Sequence, residues 1–248
     1  MKTTTLLFSA TLIAFAPAAR ATVTETVTKT FPLAADGVVH LDNVNGDIDI
    51  TAWDKAEVSL VAEKRAKTDE DLHKVTLEID SSPGKLTIHT KYEKSGWFHS
   101  NVNASVRYKL MVPAGVQLQK VDSVNSDITV TGVRGSVNLD TVNGTIQASG
   151  LMGDARLDSV NGSLRAEFTS LEKVHEVKLD SVNGRAEVTL PKGAGASIKA
   201  DSVNGRVSVD QAIKLGRAGR HSLNGDIGAG GPAITLDTVN GGIAVRER

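Results

Sequence analysis

The feature that most constrains the fold is a short repeat, S/T-V-N-G, which recurs with little variation along the chain. From the second copy onward, successive copies are separated by 16 to 22 residues. A near-constant period of about 20 residues is typical of a solenoid or an array, in which each repeat buries its apolar face on its neighbours. The eight copies are centred on Asn45, Asn125, Asn143, Asn161, Asn183, Asn204, Asn224 and Asn240.

Apolar residues lie at fixed offsets on both sides of most of the asparagines. Around Asn143, for example, Val137 and Leu139 precede it by six and four residues, and Ile146 and Ala148 follow it by three and five. Alternation with a period of two predicts half-buried strands. The buried positions lie at even offsets before the asparagine and at odd offsets after it, so the alternation shifts by one residue at each V-N-G step. A straight strand cannot change face in this way, so each copy predicts a corner, where Asn-Gly readily supplies positive φ.

We therefore predict an all-β fold. The architecture expected is a single-chain parallel β-solenoid, β-helix-like, in which equivalent residues stack about 4.8 Å apart. The crossover rule favours right-handed coils. An array of antiparallel hairpins is the alternative, because Asn-Gly between two alternating segments is also a strong hairpin signal.

The chain divides into three parts. Residues 1–21 are predicted to be a signal peptide, because Lys2 is followed by an apolar run and then by Ala19-Arg20-Ala21, a typical cleavage pattern. Residues 22–120 are expected to form a less regular amino-terminal β cap, with the first repeat at 41–50, and residues 121–248 the regular repeats. No later stretch is apolar over the length of a membrane span. The protein is thus expected in the periplasm, on the cell surface or in the medium of a bacterium.

Composition and motifs exclude several classes of site. The chain has no cysteine, which rules out disulfides, thiolate metal sites and a cysteine nucleophile. Its 28 basic and 29 acidic residues give a formal net charge of −1, so nothing points to nucleic acid. With no phosphate-binding, zinc-protease or serine-hydrolase motif, we predict no catalytic residue, no cofactor and no metal site. Carboxylate pairs such as Asp47 and Asp49 leave a carbohydrate-active enzyme on a β-helix as the alternative.

Two polar columns accompany the repeat. The asparagines are predicted to form a structural corner ladder, with inward side chains that exchange hydrogen bonds along the stack and satisfy corner amides. Three residues before most of them lies an aspartate, which a local hydrogen bond to a corner amide would make tolerable. The alternative for this row is a series of weak divalent-cation sites, since carboxylate oxygens suit Ca²⁺. Its members are Asp122, Asp140, Asp158, Asp180, Asp201 and Asp237.

One aromatic segment departs from the repeat pattern. Tyr92, Trp97, Phe98 and His99 lie close together in a loop-like stretch between predicted strands. Exposed, they would be candidate partner-binding residues, because aromatic side chains dominate interface hot spots. Buried, they would instead close one end of the stack.

The repeats resemble a known family. "LDNVNGDIDITAWD", "YKLMVPAGVQLQKVDSVNSDITVTG" and the run "LDTVNGTIQASG", "LDSVNGSLRAEF" are similar to the bacterial putative-adhesin family of β-strand-repeat proteins, a domain of unknown function. The resemblance covers nearly the whole chain after residue 21 and carries no catalytic residues. It implies a non-catalytic, exported β-helix-like scaffold, an adhesin or envelope binding protein. Its expected partner is a cell-surface glycan or protein.

Overall fold

The chain is almost entirely β-strand. The computed structural model describes residues 22–93, 103–210 and 213–248, and the predicted signal peptide lies outside them. The helix in these ranges is α1 (Asp69–His73), where the Thr68 side chain accepts a hydrogen bond from the Asp71 N–H at 3.1 Å and caps the first turn. Within the described ranges, no helix has the length and apolar character needed to cross a membrane.

The strands of the described residues number 21. The first seven are β1 (Val23–Pro32), β2 (Val38–Asp42), β3 (Ile48–Trp53), β4 (Glu57–Ala66), β5 (Val75–Ser82), β6 (Lys85–Tyr92) and β7 (Ala104–Pro113). The next eight are β8 (Gln117–Asn125), β9 (Ile128–Thr131), β10 (Val137–Asn143), β11 (Ile146–Leu151), β12 (Ala155–Asn161), β13 (Leu164–Phe168), β14 (Glu176–Ser181) and β15 (Ala186–Leu190). The last six are β16 (Ala196–Ser202), β17 (Val207–Val209), β18 (Ile213–Ala218), β19 (Ser222–Ile227), β20 (Ala233–Thr238) and β21 (Ile243–Glu247).

The two strands that flank a V-N-G or V-N-S corner belong to different sheets, and we call such a pair, and the equivalent pair β6/β7, a coil. In the coil of Asn143, β10 lies in an eleven-stranded sheet and β11 in a ten-stranded sheet. Each strand pairs in parallel with its counterpart in the next coil, β10 with β12 and β11 with β13. The corners are therefore not hairpin turns. The predicted all-β class is confirmed, and the repeat architecture fits a solenoid.

The core lies between the two sheets and is built from the predicted columns. Leu139 opposes Leu157 across one sheet, and Ile146 opposes Leu164 across the other. These four side chains are at most 1 % exposed. Burial of stacked aliphatic side chains, each worth about 1.5–3 kcal/mol, is the main favourable contribution to folding here.

The coils do not stack in chain order. From one end to the other, the sheets place them as β6/β7, β2/β3, β8/β9, β10/β11, β12/β13, β14/β15, β20/β21 and β16/β17. The carboxy-terminal coil β20/β21 is thus inserted between the two coils that precede it in sequence, and β2/β3 is likewise inserted next to β8/β9. The regular spacing suggested that the coils follow one another along the stack in chain order. This expectation is wrong at both ends of the stack.

Antiparallel strands cover the ends of the stack. At one end β4 pairs with β7 and β1 pairs with β4, while β5 pairs with β6 in the other sheet. At the opposite end β19 pairs with β16, and β18 pairs with β19. Covering a solenoid end in this way limits the exposure of unpaired strand edges and of the core.

The corner glycines are required for a reason other than the one predicted. Among the corners, only Gly46 adopts a positive φ, of 104°. At Gly162, a Cβ would lie 1.7 Å from the Gly144 carbonyl oxygen in the next coil. Glycine is therefore needed at Gly162 because the backbones of adjacent corners are in contact, and not because of its φ.

Candidate functional site

The asparagine column forms a hydrogen-bonded ladder on the outside of the stack. The Asn161 Nδ2 donates to the Asn143 Oδ1 at 2.9 Å, and the Asn183 Nδ2 donates to the Asn161 Oδ1 at 2.8 Å. The same contact, at 2.8–2.9 Å, links seven asparagines in coil order. These are Asn45, Asn125, Asn143, Asn161, Asn183, Asn240 and Asn204.

Two features of the predicted ladder are wrong. The asparagine side chains face the solvent, not the interior, because the Val-Asn pair at each corner points outward from both sheets. Asn224 is not a member, since it lies in β19, where it pairs with Lys199 in antiparallel register. The tetrapeptide around it resembles a corner but lies within the hairpin that covers the stack end.

Buried hydroxyls satisfy the corner backbone in place of the asparagines. The Ser159 Oγ donates to the Gly144 carbonyl at 3.2 Å, and the Ser181 Oγ donates to the Gly162 carbonyl at 3.0 Å. Thr141 is fully buried and donates to the Ser126 carbonyl at 3.2 Å. These residues precede the asparagine by two positions, so the S/T of the repeat is its inward polar residue.

The aspartate row is continuous through seven coils. Cross-strand register brings Asp140 beside Asp122 and Asp158, and Asp237 beside Asp180 and Asp201. Like charges on adjacent strands repel. The row runs in the order Asp42, Asp122, Asp140, Asp158, Asp180, Asp237 and Asp201.

Some of the aspartates form an ion pair with a basic residue two positions before them in the chain, and these pairs neutralise only part of the row. Arg156 lies 2.8 Å from Asp158, and Lys178 lies 3.0 Å from Asp180. Within the described part of the chain, neither Asp140 nor Asp237 has an ion pair closer than 4 Å. The row therefore keeps an excess of negative charge towards the solvent.

Two carboxyls of the row have raised pKa values, first because they are partly buried and then because of their acidic neighbours. Burial raises the pKa of the Asp237 carboxyl, and the neighbouring Asp180 and Asp201 carboxylates raise it further. Burial and the nearby Asp122 carboxylate likewise raise the pKa of Asp140. A cation placed against the row would counter the repulsion, and the ionised forms would be favoured.

A column of exposed valines runs beside the aspartates. These valines immediately precede the corner asparagines and are 38–65 % exposed. Isolated exposed apolar residues are ordinary, but a contiguous apolar stripe marks an interaction surface. The column consists of Val124, Val142, Val160, Val182, Val203 and Val239.

The two columns line one open groove of about 560 Å³. It runs over five adjacent coils, which at about 4.8 Å per step is about 19 Å of stack axis. We call it the Val-Asp groove. Its walls are the carboxylates and the valines, and the inward serines and threonines lie between them. The walls comprise Asp140, Asp158, Asp180, Asp201, Asp237, Val160, Val182, Val203 and Val239.

The arrangement is suited to binding an extended group that is both apolar and cationic. In the part of the chain that the structure describes, no group of three or more histidines and carboxylates is placed to hold a metal ion. The carboxylate Asp47, one of the pair considered for acid-base chemistry, is bound to Arg107 at 2.8 Å. The groove itself lies on the other sheet, away from Asp47.

The valines of the groove were missed at the level of sequence, although a signal for them was present. Val160 and Val182 precede an asparagine by one residue, whereas the buried positions before it lie at even offsets. An apolar residue repeated at an outward position has no role in the core. Its recurrence in nearly every copy is therefore the signal of an exposed stripe.

The aromatic segment is only partly described. Trp97, Phe98 and His99, predicted as candidate partner-binding residues, lie outside the described residues. Tyr92 ends β6 and is half-buried against the core, and burial raises the pKa of its hydroxyl to about 12. Tyr92 therefore contributes to packing at this end of the stack.

One solved structure shares the fold, and a second is less similar. A protein from Clostridium sporogenes, described as a putative cell adhesion protein, is 13% identical, with 91% of this chain and 100% of that one covered and a TM-score of 0.53. A putative adhesin from Bacteroides fragilis is also 13% identical, with coverage of 90% and 97% and a TM-score of 0.42. At this identity, the first similarity shows the fold alone.

A comparison with curated proteins finds no match. The family comparison, by contrast, covers nearly the whole chain, because the Toastrack DUF4097 model matches residues 19–246. The matched region contains the seven V-N-G or V-N-S corners and both polar columns. The protein belongs to the Toastrack family.

Proposed function

We propose that the protein is an exported, non-catalytic scaffold of the adhesin type, which binds a protein partner at the bacterial envelope through the Val-Asp groove. The observation that carries this proposal is the exposed valine column beside an incompletely neutralised aspartate row. An extended segment of about six residues, with apolar and basic side chains, would fill the roughly 19 Å of the groove. The described groove has no aromatic ring on which a sugar could stack, so a protein is favoured over a glycan.

The proposed export, domain organisation and handedness rest on the sequence. Export would use the signal peptide at residues 1–21, and residues 22–120 would cap the regular repeats of 121–248. The stack would form one parallel solenoid with right-handed coils, as the crossover rule favours. The segment with Trp97, Phe98 and His99 is a second candidate contact for the same partner.

Binding to intact bacterial cells and to isolated envelopes tests the groove. Val182→Glu places a charge on the apolar wall, where it should abolish binding of the labelled protein. Met111→Glu is the matched control, because Met111 is 42 % exposed on the other sheet. Equal binding by both variants, or equal loss in both, would refute a role for the groove.

Enzymatic treatment identifies the class of partner. Protease treatment of the target cells should remove binding, whereas glycosidase treatment should not. The reverse result would assign a glycan. Release of reducing ends from a polysaccharide panel, lost on Asp158→Asn, would overturn the non-catalytic role and support the carbohydrate-active alternative.

A further inference from the structure

We propose that two copies of this chain associate through strand β1, which pairs with itself in antiparallel register and joins the two ten-stranded sheets into one. This goes beyond the proposed function and does not depend on the groove. In the described residues, β1 pairs with β4 on one side and with no strand on the other. An open strand edge presents a row of unpaired N–H and C=O groups that another strand can satisfy.

The length of β1 distinguishes it from the opposite edge of its own sheet. It has ten residues, whereas the opposite edge of the same sheet, β17, has three. Short edge strands are a common protection against edge-to-edge association. The β1 edge lacks this protection.

The sequence of β1 is self-complementary about Val27. When the strand VTETVTKTF is paired antiparallel with its own copy and centred there, Glu25 opposes Lys29 of the second copy. The remaining pairs join Thr24 with Thr30, Thr26 with Thr28, and Val23 with Phe31. Opposite charges, paired threonines and paired apolar residues are the favourable cross-strand combinations.

Only this register matches both charges. A shift that centres the pairing on Glu25 or on Lys29 brings like charges together, and other shifts leave each charge opposite an uncharged residue. Lys29 has no ion pair within the described residues, so it is available to a partner. Glu25 lies 2.8 Å from the buried Lys64, and a carboxylate has capacity to accept from a second cation. The pairing would therefore complete a Lys64–Glu25–Lys29 row across the two copies.

Both faces of β1 suit a continued sheet. Val23, Val27 and Phe31 are partly buried and pack against the core at the stack end, so a second copy would extend that apolar layer. The four threonines at the even positions are exposed on the outer face. In contrast, the edge strand β5 of the other sheet carries Glu78 and Asp80, which would repel each other in a similar self-pairing.

Cysteine cross-linking tests the geometry directly, because the chain has no cysteine of its own. Val27→Cys opposes itself in the proposed register, at a Cα separation within the range of a disulfide. Thr24→Cys is the control, since it lies on the same strand but would be about 20 Å from its copy. Mild oxidation should give a covalent dimer of Val27→Cys only. Equal cross-linking of the two variants, or none in either, would overturn the proposal.

Sedimentation velocity over a range of protein concentrations tests the charges. Lys29→Glu should weaken the dimer roughly tenfold or more, because it places Glu25 opposite a glutamate twice. Lys192→Glu is the matched control on an exposed loop and should leave the dimer unchanged. Mixing Lys29→Glu with Glu25→Lys, after circular dichroism has shown that both are folded, should restore a heterodimer. A wild-type protein that stays monomeric at all concentrations would refute the inference.

Discussion

Replacing Gly162 by alanine tests whether adjacent corner backbones are in contact. The added Cβ would lie 1.7 Å from the Gly144 carbonyl oxygen and 2.9 Å from the Ser159 Oγ. The first distance must increase by about 1.3 Å, because Cβ contacts under 3.0 Å are essentially never observed. The carbonyl belongs to the corner between β10 and β11 and accepts a hydrogen bond from the Ser159 Oγ, so the corner of one coil must separate from the next.

The magnitude follows from the hydrogen bonds that cross this corner. The Gly144 N–H donates to the Asn161 carbonyl at 3.2 Å, and the Asn161 Nδ2 donates to the Asn143 Oδ1 at 2.9 Å. The Ser159 Oγ donates to the Gly144 carbonyl at 3.2 Å. Three lost hydrogen bonds, each worth about 0.5–1.5 kcal/mol net, give a destabilisation of about 2–4 kcal/mol. For a chain of this size the Tm should fall by about 5–15 °C.

Urea unfolding followed by circular dichroism measures this change. Gly84→Ala is the control, because a Cβ there has no heavy atom within 4 Å and the residue does not adopt a positive φ. Its free energy of unfolding should stay within about 0.5 kcal/mol of the wild type. If Gly162→Ala is as stable as Gly84→Ala, the corners are not in contact and the stacking geometry is wrong.

Three further substitutions address the polar columns. Asp237→Asn should raise the Tm at pH 7 and have less effect near pH 4, as thermal melts at both pH values would show. The reason is that the pKa of Asp237 is higher in the folded state, so its ionisation opposes folding as the pH rises through that value. Asn161→Ala removes two ladder hydrogen bonds and should cost about 1–2 kcal/mol in urea unfolding, whereas Asn224→Ala, outside the ladder, should cost less than about 0.5. Thr141→Val preserves the side-chain shape but leaves a buried corner carbonyl without its donor, so the same assay should show a loss of about 1–3 kcal/mol.

The sequence was sufficient to predict the core columns and seven of the eight corners, Asn224 being the exception. Leu139 and Ile146 lie on opposite sides of the shift in alternation, and both are fully buried. Periodicity encodes such positions because a strand alternates its faces regardless of what surrounds it. Periodicity alone could not give the reason for the glycines, since the contact at Gly162 is made with another coil.

The direction of the corner side chains was also beyond the sequence. Asparagine and serine are both short and polar, and either could satisfy the corner backbone from inside. The structure places Ser159 inward and Asn161 outward because the shift in alternation falls after the valine. Val160, one position before the shift, is outward by the regular alternation of β12, so its exposure could have been predicted.

The order of the coils depends on tertiary pairing that no local pattern records. In a regular stack, the first and last segments of the chain would form the outermost coils, where only one side is supported. Here the last coil, β20/β21, has neighbours on both sides. The outermost coil, β16/β17, is covered on β16 by β19, and the chain continues from both of its ends. Opening β20/β21 must then break its pairing with the coils on both sides, and opening β16/β17 must move the chain segments that precede and follow it. The coils β20/β21 and β16/β17 should consequently exchange their amide hydrogens as slowly as the central coils. In a simple repeat array, the end repeats fray and exchange faster.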